Sequence, residues 1–155
     1  MSSKVDIVNQ ALLVLGAKPI ISFDDESTEA NAARVLYEPS KKQLLRSFDW
    51  NCANVTATLA LLTEQPVDPK YTCMFSLPAD NLRVLEVIEM GVPVYRKVEW
   101  EVQGNKLLTR TASVAIRYIK NIAEPNMDSH VEMALAARTA MDMAYAITGD
   151  QSREG

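Results

Sequence analysis

The chain has 155 residues, 48% of them hydrophobic and 23% charged, which suits one soluble globular domain or a core carrying an insertion. No apolar run approaches the ~20 residues of a membrane span, and the N-terminus has no signal-peptide pattern, so synthesis in a cytoplasm and no membrane span are expected. The net charge is −4 and the longest basic runs are the pairs Lys41–Lys42 and Arg96–Lys97, which disfavours stable binding to duplex DNA, since gripping phosphates needs clustered Lys and Arg.

Residues 3–15, SKVDIVNQALLVL, predict a helix: Ser3 caps, Asp6 suits the positive helix end, and Val8, Ala11, Leu12 and Leu15 share one face. Gly16 supplies a left-handed stop and Pro19 prevents resumption. After an extended PIISF, the acid-rich DDESTE opens a second helix over about 27–49. Its inward stripe is read as Ala30, Ala33, Tyr37, Leu44 and Phe48, with a kink near Val35–Pro39.

Beyond Trp50 the period switches from helical to alternating. Val55, Ala57, Leu59 and Leu61 predict one strand face, and Tyr71, Cys73, Phe75 and Leu77 another. Further strands are expected at 82–89, 94–102 and 113–119, with Gly104–Asn105 as a tight hairpin turn before Lys106. The two prolines of TEQPVDPK mark an exposed loop. Residues 129–147 return to helix, with Ser129 and Glu132 as a capping box and Gly149 as terminator.

The order α-α-β-α predicts an α+β fold: a helical bundle with an inserted antiparallel β-domain, divided as 1–50, 51–122 and 123–155 within one structural unit. Trp50 and Asn51 then mark the junction, with the Trp50 indole buried at the seam and donating to a nearby carbonyl.

Little in the sequence points to catalysis or to a cofactor. His130 is the only histidine and has no companion ligand, so no metal site is expected. Cys52 and Cys73 read as reduced core thiols and sit in no nucleophile motif. No phosphate-cradling glycine loop occurs, and Asp24–Asp25–Glu26 read as helix-start acids rather than a cation site. The last helix differs, because Met133, Ala136, Ala137, Ala140, Met143, Ala144 and Ile147 spread apolar surface over more than half its circumference. Met133, Met141 and Met143 fit an adaptable interface and core filling equally well. The face formed by Met133, Ala137, Ala140, Met143, Ala144 and Ile147 is therefore a candidate for packing or for subunit contact.

Three segments in sequence order carry a resemblance: residues 7–53 with the Leu-Gly helix end, acidic turn and Leu-Leu…Trp exit; residues 75–87 with the Leu77–Pro78–Ala79–Asp80 turn; and residues 102–149 with Arg-Tyr-Ile before an alanine-rich helix. Together they are similar to the tail tubular protein A, or head-to-tail adaptor, family of short-tailed (podovirus, T7-like) bacteriophages. The resemblance implies a non-enzymatic virion protein, a ring of twelve that joins the capsid portal protein to the tail nozzle protein. Genomic duplex DNA would pass through its channel without tight binding, and Trp50, Asn51, Leu77, Pro78 and Asp80 would serve the structural junction. Two departures bear on the carry-over. Cys52 stands where relatives often have an aromatic residue, and relatives usually continue beyond the Thr148–Gly149 pair into a further helix that contacts the portal. The alternative functional reading is a small non-catalytic protein-binding or regulatory domain; an enzyme would need a buried polar constellation.

Overall fold

The computed structural model describes residues 3–154, and the side chains of residues 3–149. Its element order is α1 (Lys4–Leu15), α2 (Thr28–Ser47), β1 (Asn54–Thr58), β2 (Cys73–Ser76), β3 (Asn81–Glu89), β4 (Trp100–Gln103), β5 (Lys106–Thr109), β6 (Val114–Lys120) and α3 (Ser129–Glu154). Short 3₁₀ turns stand at Asn51–Ala53 and Glu124–Asn126. The chain divides into two compact units, one of the residues up to Cys52 with those from Ile122 onward, the other spanning Ala53–Asn121.

In the helical unit, local chemistry sets the ends of α1. Ser3 and Asp6 form a reciprocal capping box, and these hydrogen bonds hold the Asp6 carboxyl below its ordinary range. At the other end Gly16 adopts a φ of 70°, and the N–H of Ala17 reaches the Leu12 carbonyl at 2.9 Å, closing the helix in a left-handed turn. The buried face is Ile7, Val8, Ala11 and Leu12, while Leu15 is only half-buried. Ser27 caps α2, which runs unbroken through Pro39.

The inward stripe of α2 departs from the expected one beyond Tyr37. It continues through Ser40, Lys41 and Leu45, leaving Leu44 half-buried and Phe48 63% exposed. Successive steps of four carry the stripe from 37 to 41 and 45, and Phe48 falls on the extended residue that ends the helix. In α3 the cap is Asp128, whose Oδ1 accepts the Val131 N–H at 3.1 Å, and not Ser129. The helix also passes through Gly149 instead of stopping there. A helical glycine costs only about 1 kcal/mol, which does not terminate a helix in the absence of a left-handed cap.

α3 packs on both α1 and α2, whereas α1 and α2 barely meet. Its buried positions Val131, Leu135, Thr139, Met143 and Ile147 recur every four residues, joined by Ala136 and Ala140. Met143 and Ile147 therefore belong to the core of the unit, and Ala140 is nearly buried at its edge.

The β unit holds two three-stranded antiparallel sheets, ordered β1-β6-β3 and β2-β5-β4. Phe75 and Leu107 of the second sheet share a core with Val87, Val114, Ile116 and Tyr118 of the first. Val55, Ala57, Leu59, Cys73, Leu77 and Trp100 pack around it, following the alternation legible in the sequence. β4 and β5 form a hairpin whose first turn residue, Gly104, supplies a φ of 64°. The expected strand at 94–102 is confined to 100–103; the stretch before it meets β3 at an isolated bridge between Lys97 and Ile88, where the Glu89 N–H reaches the Arg96 carbonyl at 2.9 Å and the Val98 N–H the Val87 carbonyl at 3.0 Å. The fold is α+β, with two N-terminal helices, antiparallel β structure and a C-terminal helix.

Candidate functional site

The helical unit contains a buried ionic cluster. Lys41 and Glu124 are 4% and 5% exposed, with Nζ 2.9 Å from Oε1, and the Tyr37 hydroxyl donates to the same oxygen at 3.0 Å. Burial alone raises the pKa of the Glu124 carboxyl. The Lys41 ammonium, a backbone hydrogen bond and the Tyr37 hydroxyl together outweigh it, leaving the pKa below the usual range. Burial and the adjacent Glu124 charge drive the Tyr37 phenol well above its ordinary value. The three groups satisfy one another, and the cluster ties the 3₁₀ turn at Glu124 to α2. Nearby, Asp142 on α3 accepts from Ser40 Oγ of α2 at 2.6 Å and from Arg138 Nε at 3.0 Å, and Arg138 also reaches Gln43.

The surface of the same unit carries a groove of about 480 Å³ between α1 and α3. Gln10, Val14 and Leu15 form one wall; Met133, Ala136, Ala137, Ala140, Met141 and Ala144 form the floor and the other. None of these residues is charged. Val14, Met133 and Met141 are 75%, 69% and 72% exposed. The candidate contact face thus splits: Met133 and Ala137 are exposed and Ala144 is half-buried, while Ala140, Met143 and Ile147 face inward. The wall from α1 was not expected, since Val14 lies off the helical face read as buried. The only hint in the sequence is that Leu13 and Val14 extend α1's apolar residues beyond a single stripe.

The junction residues separate in a similar way. Trp50 is half-buried rather than mostly buried, and its known partners lie in the helical unit: Nε1 donates to the Leu44 carbonyl at 3.0 Å, and the ring meets Phe48 edge-on at 5.3 Å. Asn51 is exposed in the 3₁₀ turn that follows. Leu77, Pro78 and Asp80 build the turn from β2 to β3. The Leu77 N–H reaches the Asn105 carbonyl at 3.1 Å, and the Pro78 carbonyl accepts from Asn81 at 3.1 Å. The Asp80 carboxylate accepts from the Tyr118 hydroxyl at 3.1 Å and faces Lys120 Nζ at 3.8 Å, and burial with this carboxylate raises the Tyr118 phenol. The turn therefore anchors β3 and β6 to each other.

His130 is exposed and Cys52 and Cys73 are free, half-buried thiols. Among the described residues no three His, Cys, Asp or Glu side chains gather as metal ligands. Asp25 is occupied as an acceptor for the Ile21 and Ser22 N–H groups, at 2.8 and 3.3 Å. Among the described residues no helix is long and apolar enough to cross a membrane. Neither the protein-family models nor the curated proteins give a match to this chain.

Proposed function

We propose that the protein is a structural, non-enzymatic component of a virion, a head-to-tail adaptor of a short-tailed bacteriophage. In this reading its copies assemble as a ring of twelve between the portal protein and the tail nozzle protein, and the genomic duplex passes through the ring. The observation that carries the reading is the order of the architecture. Two helices precede an antiparallel β insertion, and a third helix returns to pack on both, which is the arrangement that the resemblance of residues 7–53, 75–87 and 102–149 implies. The uncharged α1–α3 groove supports a protein whose work is contact with other chains. The charge distribution supports passage of DNA, since residues 121–155 hold two basic residues against six acidic ones. The test is size-exclusion chromatography with light scattering of the chain mixed with its cognate portal. Co-elution as a stable complex of defined stoichiometry is expected, and complete separation of the two proteins would overturn the adaptor reading.

A further inference from the structure

Between β3 and β4 the chain crosses the edge of β3 that faces away from β6. The pairing there is one isolated bridge, Ile88 with Lys97, flanked by the Glu89 N–H on the Arg96 carbonyl and the Val98 N–H on the Val87 carbonyl. On its other edge β3 is registered with β6 from Asn81 to Glu89. Both ends of the crossing segment are fixed: the Met90 N–H reaches the Ser113 carbonyl at 3.0 Å, and Val98 packs against the core of the β unit. Between them Gly91 turns the chain with a φ of 82°, and Pro93, Val94, Tyr95, Arg96 and Lys97 are exposed.

A buried carboxylate holds this segment down. A register shift in β3 sets Glu86 across from Arg117 of β6, and Glu86 is 9% exposed. Its Oε1 accepts from Arg117 Nη2, while its Oε2 accepts from the Tyr95 hydroxyl at 2.6 Å and faces Lys97 Nζ at 3.8 Å. One charge thus joins the sheet to the segment. A hydrogen bond to a charged, largely desolvated acceptor is among the stronger ties that a side chain makes. The other ion pair, Arg96 with Glu89 at 3.5 Å, is exposed on the arginine side and contributes less. The closed arrangement also carries a cost, since Arg117 Nε is buried without a hydrogen-bond partner. Sparse backbone pairing, one strong side-chain tie and an unsatisfied donor beside it describe a segment poised to open.

We propose that Gly91–Lys97 is a strap that swings off the edge of β3 as one piece, pivoting at Met90 and Val98, with the Tyr95–Glu86 hydrogen bond as its latch. Opening breaks the backbone bond between Glu89 and Arg96 and lets water reach the Glu86–Arg117 pair, while the β3–β6 ladder stays intact. Val94 and Tyr95, 69% and 60% exposed, travel with the strap. Latched, this apolar tip sits in one place and gives up less freedom when another surface meets it; released, the same contact is weaker. The device stands apart from the adaptor reading, because portal binding enters none of the outcomes below.

Hydrogen exchange of the whole chain, followed by NMR, tests this through two neighbouring amides on opposite edges of β3. The Glu89 N–H is bonded to the strap, and the Met90 N–H to Ser113 beside β6. In the wild type the Glu89 amide should be at least about tenfold less protected than the Met90 amide, which reports an opening short of unfolding. Tyr95→Phe keeps the ring and removes the latch. It should lower Glu89 protection a further 10- to 100-fold, roughly, and leave Met90 unchanged. Arg96→Ala removes the exposed ion pair and should lower Glu89 protection by less than about fivefold. Equal protection of the two amides in the wild type would overturn the proposal. So would a Tyr95→Phe effect that is absent, that lowers both amides together, or that Arg96→Ala matches.

Discussion

Lys41→Met removes the cation from the buried cluster while keeping much of the side chain's volume and all of its apolar stem. In the native unit the two charged side chains are 5% and 7% exposed and 2.9 Å apart. Their attraction and the loss of hydration on burial nearly cancel, and the pair contributes little net stability relative to an apolar replacement. Removing one partner is different, because Glu124 keeps its desolvation cost and retains only neutral partners, the Tyr37 hydroxyl and a backbone N–H. The expected loss is about 3–5 kcal/mol, read by urea denaturation at neutral pH. Lys41→Met with Glu124→Gln should recover more than half of that loss, since the amide still accepts from Tyr37 and no charge is buried.

The pH dependence has a definite sign. Glu124 is depressed in the native protein, so its contribution is present above the unfolded-state value and lost as pH falls through the native one. In the Lys41→Met variant burial dominates and raises the carboxyl, so the folded state favours the protonated form. The variant should gain on the wild type as pH drops into the carboxylate range. A loss under ~1 kcal/mol for Lys41→Met, or a stability gap that widens on acidification, would refute this reasoning.

Leu135→Ala empties a fully buried position of α3 and should cost about 2–5 kcal/mol in a denaturant titration. Gly16→Ala places a Cβ at a φ of 70° and should cost roughly 1–2 kcal/mol, through left-handed strain alone because nothing lies within 4 Å of the added carbon. Trp50→Phe removes the hydrogen bond to the Leu44 carbonyl but keeps an aromatic ring against Phe48, and a fall of about 1 kcal/mol in thermal unfolding is expected. Fluorescence anisotropy with a labelled duplex at physiological salt should show no binding in the micromolar range, because the acidic chain has no basic cluster.

Elements with a local chemical signature were legible in the sequence. Ser3 with Asp6 and Gly16 bracket α1, and the alternation through Phe75 and Val55 finds strands and core faces together. Errors arose where phase depends on tertiary partners. Lys41 interrupts the apolar stripe of α2, and only its pairing with Glu124, 83 positions along the chain, makes that position an interior one. Alanines on both sides of α3 carry no phase, and a fully buried Thr139 hides the true inward stripe, so the buried Met143 and the exposed Met133 were read as one face. The groove needs α1 and α3 side by side, and no local pattern reports that adjacency.

Under the proposed adaptor role copies of this chain form a ring on a portal, which electron microscopy of the purified portal mixed with this protein would make visible. An added annular layer is expected, coaxial with the portal and with an open central channel wide enough for duplex DNA. Portal particles without any added layer, at protein concentrations far above the portal's, would contradict it.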